Sequence, residues 1–198
     1  MSRIGCSWRK CMVVVGVLAL VVPLLLVWAA PVSAATLCVN TGGTGGCYGS
    51  IQDAVDNAGG GDVINVYPGT YDESVDLGGH SGALTLRTVN NAGNPTPGTA
   101  TVDGGTADAF GTSTDHSGNI TIVGFVVEST DNDGINLEVN SNIVVRNVTA
   151  SDSGEDGIDV EAEVDVTIDA CTANNTDSDG IYIDDADNVT ISDCIANG

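Results

Sequence analysis

From Asn119 onward, two periods of hydrophobicity are superposed along the chain. Within each segment apolar residues alternate with polar ones, and the whole segment returns after 23 residues. Aligned on Asn119, Asn142, Asp165 and Asn188, the segments read NITIVGF, NIVVRNV, DVTIDAC and NVTISDC. Asp-Gly-Ile triplets starting at Asp133, Asp156 and Asp179 keep the same step. Six columns of this alignment are apolar throughout, among them Ile120/Ile143/Val166/Val189, Phe125/Val148/Cys171/Cys194 and Ile135/Ile158/Ile181. Alternation with a period of two predicts strands whose apolar side faces inward. A unit this short cannot close a core alone, so it must stack on its neighbours. Stacking in register places each residue about 4.8 Å above its equivalent, the spacing of adjacent strands, and predicts a parallel β-solenoid.

Upstream, the stretch SIQDAVDNAGGGDVINVYPGTYDESV changes period. Ser50 with Asp53 three residues on predicts a helix N-terminus, Ile51, Ala54, Val55 and Ala58 form one apolar face, and Gly59 to Gly61 end it. Such a helix would plug the open first coil. The repeats resemble the right-handed parallel β-helix of the pectin-lyase-like superfamily, strongly from Asn119 to Gly198, and the helix-strand-Pro-Gly opening is similar to the start of such domains. The resemblance implies an all-β, right-handed parallel β-helix (solenoid) of 23-residue coils with a short N-terminal capping helix. The expected organisation is a signal segment over 1–35, the cap and first coil over 36–80, irregular coils over 81–118 and regular coils over 119–198. The final Ala196-Asn197-Gly198 falls partway through a coil, so further coils are expected beyond it.

Charge and targeting narrow the setting. Arg3, Arg9 and Lys10 precede an apolar run from Met12 to Ala30, and Val32-Ser33-Ala34-Ala35 offers small residues for cleavage, the pattern of a secretory signal. Once it is removed, Arg87 and Arg146 are the only fixed positive side chains against 27 Asp and Glu. That balance excludes nucleic-acid binding and disfavours anionic membranes, and no membrane insertion is expected after cleavage. The expected location is secreted or at the cell surface. Both tryptophans, Trp8 and Trp28, leave with the signal, which weakens a simple lectin reading. Export also sets the redox context. Cys38 and Cys47 flank a flexible NTGGTGG loop that a disulfide could close, while Cys171 above Cys194 could be a bond between rungs or a stacked thiol pair. His80 and His116 are isolated in sequence and form no zinc motif.

Two readings of the carboxylates stay open. Asp133, Asp156 and Asp179 each precede glycine, and Asp-Gly suits a corner that needs positive φ, with the aspartate bonding its own backbone two residues on. Alternatively they do chemistry. Glu138, Glu161 and Asp184 stack outward in register and, with Asp159, could gather oxygens around calcium. DNDGIN at 131–136 and GEDGID at 154–159 are similar to polygalacturonase motifs, a resemblance that nominates Asp133, Glu155 and Asp156 as acid and base partners. The next coil departs from that family, carrying Asp179-Gly180-Ile181 where it has Gly-His-Gly. Resemblance to polysaccharide lyases would make Arg146 a base or carboxylate clamp, whereas its column places it one rung from Asp169, where the two neutralise each other. The resulting expectation is an extracellular or cell-surface scaffold that contacts an acidic polysaccharide or another surface component, with calcium. The alternative is a carbohydrate-active enzyme, a pectate-lyase-like lyase or a polygalacturonase-like glycoside hydrolase.

Overall fold

In the computed structural model, which describes residues 33–114 and 116–197, the alternating segments stack as strands in the predicted register. The expected signal segment lies outside the described residues apart from Ser33 to Ala35. The chain enters through β1 (Thr36–Val39) and α1 (Ile51–Asp56). Two three-strand coils follow: β2 (Val63–Val66), β3 (Gly69–Asp72) and β4 (Val75–Asp76), then β5 (Leu84–Thr88), β6 (Ala100–Asp103) and β7 (Phe110–Gly111). Three more are built from β8 (Ile120–Val123), β9 (Val126–Ser129) and β10 (Ile135–Val139); β11 (Ile143–Arg146), β12 (Thr149–Ser153) and β13 (Ile158–Ala162); and β14 (Asp165–Asp169), β15 (Thr172–Asn174) and β16 (Ile181–Asp184). The last rung holds β17 (Asn188–Ser192) and β18 (Ile195–Asn197).

Every strand pairs in parallel with its equivalent one coil away, producing three sheets of seven, five and six strands. The seven-stranded sheet counts the rungs, from β1 to β17. The segment expected to hold irregular coils contributes β5, β6 and β7 to the same three sheets. All six apolar columns point inward. Ile120, Ile143 and Val166 are buried in succession, as are Phe125, Val148 and Cys171, while Phe110 meets Phe125 edge-to-face at 5.1 Å. On the last rung Val189, Ile191 and Ile195 are exposed.

The helix closes the opposite end. Ser50 Oγ accepts from Asp53 N at 3.1 Å, as its sequence predicts, and Ile51, Ala54 and Val55 are buried under the first coil. A second cap comes from a distance. Both carboxylate oxygens of Glu73 accept from the helix start, Ile51 N at 2.7 Å and Gln52 N at 3.0 Å. Cys38 and Cys47 form the disulfide that closes the loop beside β1.

The corners correct one expectation. Gly134, Gly157 and Gly180 do not take positive φ; left-handed backbone falls instead on Asp152 and Asn175 ahead of that corner, and on Gly124, Asn147, Ala170 and Asp193, stacked between the seven- and six-stranded sheets. The Asp-Gly glycines are required because coils approach too closely there for a side chain. A Cβ on Gly157 would lie 2.6 Å from Gly180 O and 2.8 Å from Ala173 Cβ, and one on Gly134 would lie 2.7 Å from Gly157 O. Opposite effects of two small substitutions should follow. Gly157→Ala is expected to cost about 2–3 kcal/mol through overpacking, whereas Ala170→Gly, at φ 53, should gain up to about 1 kcal/mol by relieving left-handed strain. Urea unfolding of both variants measures the pair, and a neutral Gly157→Ala would contradict the close-approach account.

Candidate functional site

At the corner leading into the five-stranded sheet, the aspartates form a hydrogen-bonded ladder between coils. Asp108 Oδ1 accepts from Asp133 N at 3.2 Å, Asp133 Oδ1 from Asp156 N at 2.7 Å, and Asp156 Oδ1 from Asp179 N at 2.6 Å. Each carboxylate therefore satisfies the next coil's backbone, not its own turn as expected from the Asp-Gly pairs. Asp108 was not visible as a member because it precedes Asp133 by 25 residues and is followed by Ala-Phe instead of Gly-Ile. Asp133 is 3% exposed, and its second oxygen accepts from Asn136 Nδ2 at 2.6 Å. Its carboxylate is fully committed to structure.

Beyond the corner, the outer face of the five-stranded sheet carries two rows. One runs Asp76, Gly111, Asn136, Asp159 and Tyr182 in register, and the other runs Glu138, Glu161 and Asp184. Glu138 and Glu161 of the second row line a groove of about 260 Å³ together with Asn140, Glu163 and Asp185. Asp184 is held by the Tyr182 hydroxyl at 3.3 Å and by Asp185 N at 2.9 Å. Among the described residues no group of three or more His, Cys, Asp or Glu side chains converges as a metal site. Glu138, Asp159, Glu161 and Asp184 thus share a face without closing a cage around one ion.

Residues 102–198 match a family described as a right handed beta helix region. No curated protein and no solved structure gives a significant match. The matched residues form a right-handed parallel β-helix, and the strands upstream of them join the same three sheets. Within the β-helix, the residues nominated for catalysis are split between faces. Asp133, exposed Glu155 and half-buried Asp156 lie at the ladder corner, whereas Arg146 is on the seven-stranded sheet, where its Nε donates to Asp169 Oδ2 at 2.9 Å. Ser192 Oγ donates to the other oxygen of Asp169 at 2.7 Å, and this hydrogen bond, with the Arg146 guanidinium, holds the Asp169 carboxyl below its ordinary range. Arg146 is not poised to act on the acidic corner. His80 and His116, far apart in sequence, stack with ring centroids 5.6 Å apart, and each bonds a backbone carbonyl, His80 Nε2 to Ala58 O and His116 Nδ1 to Leu77 O. Cys171 and Cys194 are free thiols stacked in the core column; burial pushes the Cys171 thiol up to about 11, so neither reactivity nor catalysis is favoured there.

The β-helix leaves one carboxyl in an unusual environment. Partial burial, followed by repulsion from Asp133, Asp156, Glu161 and Asp108, pushes Asp159 up to about 6. Burial and Asp133 raise Asp108 as well. At the far end of the same face the outcome reverses. Burial alone would raise Asp76, yet hydrogen bonds from the Ser113 hydroxyl, Ser113 N and Gly78 N outweigh it and hold that carboxyl low. The sequence pattern marks Asp159 only as one outward residue among many, because its perturbation comes from burial and from carboxylates on three coils.

A pH dependence follows for the β-helix. The folded chain keeps the Asp159 proton up to about pH 6, while the ordinary value is 3.8. Between those values the folded state binds more protons than the unfolded one, so this group's contribution makes stability fall as pH rises from about 4 to about 6. The full penalty above that window is on the order of 1–2 kcal/mol after screening is allowed for. Asp159→Asn should flatten the slope across the window and raise Tm at pH 7 by about 2–4 °C. Thermal melts from pH 4 to 8 check this, and an unchanged slope in the variant would locate the titration elsewhere.

Proposed function

We propose that this β-helix is an exported scaffold that meets polysaccharide or another surface component through the outer face of its five-stranded sheet. The observation that carries this reading is the Glu138/Glu161/Asp184 row beside the groove, which sets carboxylates one rung apart on a rigid backbone. Carboxylates at that spacing accept hydrogen bonds from sugar hydroxyls. An acidic glycan would be repelled by them unless a cation intervenes. Because the row closes no cage alone, calcium fits best as a bridge, with glycan carboxylates and water completing the oxygen shell. The N-terminal basic-apolar-small segment supports export, and the excess of acid over base supports a cation-rich setting.

A second reading is favoured by Asp159. A carboxyl pushed up to about 6 by burial and by the nearby Asp133 and Asp156 suits the role of a proton donor. A hydrolase or lyase would use it as a proton donor to a glycosidic oxygen. Among the described residues this face carries no free cation to hold substrate, and Arg146 is engaged on another sheet.

A panel of neutral and acidic polysaccharides, incubated with the chain in CaCl₂ and in EDTA at matched ionic strength, separates the readings. The scaffold reading expects calcium-dependent binding without release of oligosaccharides, weakened at least about tenfold, roughly 1.4 kcal/mol, by Glu161→Gln. Cleavage that Asp159→Asn abolishes while binding persists would replace it with the enzyme reading. Binding indifferent to both calcium and Glu161→Gln would remove this face from consideration.

A further inference from the structure

Four Asn-x-Ser/Thr triplets with a non-proline centre lie among the described residues, at Asn119, Asn147, Asn174 and Asn188. In an exported chain such triplets are acceptors for an asparagine-linked glycan where the asparagine can be reached. The fold sorts the four into two classes. Asn188 Nδ2, the atom that would be modified, donates to Asp165 Oδ1 at 2.7 Å. Asn174 sits in a side-chain ladder, accepting from Asn197 Nδ2 at 2.9 Å, and the hydroxyl-bearing Thr176 of its triplet is buried.

The other two carboxamides make no hydrogen bond among the described residues, and small neighbours flank them. Asn119 is exposed just before β8, with Ala83 at the equivalent place one coil below. Asn147 occupies the left-handed corner just after β11, between Gly124 and Ala170 of the adjoining coils. A bulky substituent at either position projects from the outside of a turn and meets no side chain larger than methyl on at least one side. Asn119 lies at the corner between the five- and seven-stranded sheets, and Asn147 at the corner between the seven- and six-stranded sheets.

We propose that Asn119 and Asn147 are acceptors for asparagine-linked glycosylation. The co-reactant is a lipid-linked oligosaccharide phosphate or pyrophosphate. Nδ2 forms a bond to the anomeric carbon as that carbon's bond to the phosphate oxygen breaks, the carboxamide gives up one proton to a base, and the lipid phosphate departs with the electron pair. Thr121 and Thr149 supply the hydroxyl of each triplet. The proposal requires export but not glycan binding by the acidic face, so the two can fail independently.

The test uses the full chain with its own N-terminal segment, expressed in an N-glycosylating secretory host and recovered from the medium. Peptide mass spectrometry before and after peptide-N-glycosidase treatment should place glycans on Asn119 and Asn147, with the Asn174 and Asn188 peptides unmodified. Asn119→Gln and Asn147→Gln should each remove one glycan from the intact mass. Thr121→Ala should remove the first while Thr121→Ser retains it, a distinction that a structural role for Thr121 would not produce. Unmodified peptides at both corners, glycans confined to Asn174 or Asn188, or a chain retained unmodified inside the cell would each overturn the proposal.

Discussion

Each strand residue in the inner rungs of the β-helix must tolerate its own equivalent about 4.8 Å above and below it, because parallel in-register pairing is the only way these short coils bury their apolar side. The constraint works column by column. Aliphatic columns gain from it, since Ile120, Ile143 and Val166 are buried in succession along the axis. Columns of equal charge lose, because neighbouring carboxylates at about 5 Å repel by on the order of 1 kcal/mol even in water. What a column can contain depends on what compensates the stacking.

The two acidic ladders answer that repulsion differently. At the Asp-Gly corner each carboxylate receives a backbone N–H from the coil above, so a like-charge column becomes a chain of charge-assisted hydrogen bonds. The Glu138/Glu161/Asp184 row has no comparable chain of donors and remains available to solvent, cations or hydroxyl groups. Asp159 lies between the two regimes, close enough to the bonded ladder to feel its charge and covered enough to lose some hydration. The bonded aspartates thus sit in the turn that leads into each strand and the exposed acidic row on the strand itself, a few residues apart.

Periodicity made the solenoid legible because a 23-residue step and a two-residue alternation both survive in the bare chain. The capping helix was legible for a similar reason, as Ser50 and Asp53 are local partners. Features that depend on two distant segments were not. Glu73 caps the helix from 21 and 22 residues away, the two histidines meet only when their coils stack, and Asp108 joins the aspartate ladder despite breaking the repeat spacing. The corner glycines illustrate a subtler limit. Asp-Gly carries the same letters whether glycine supplies positive φ or merely the absence of a Cβ, and only the contact with the next coil distinguishes them.

The aspartate ladder also has a direction, since each carboxylate accepts from a backbone N–H of the following coil. An interface between coils therefore presents the same donor on one side and the same acceptor on the other at each rung. Duplication or loss of one 23-residue unit by recombination would join matching surfaces and alter reach without redesigning any contact. Axial length can vary in quanta of one rung, and the outward acidic row lengthens or shortens with it.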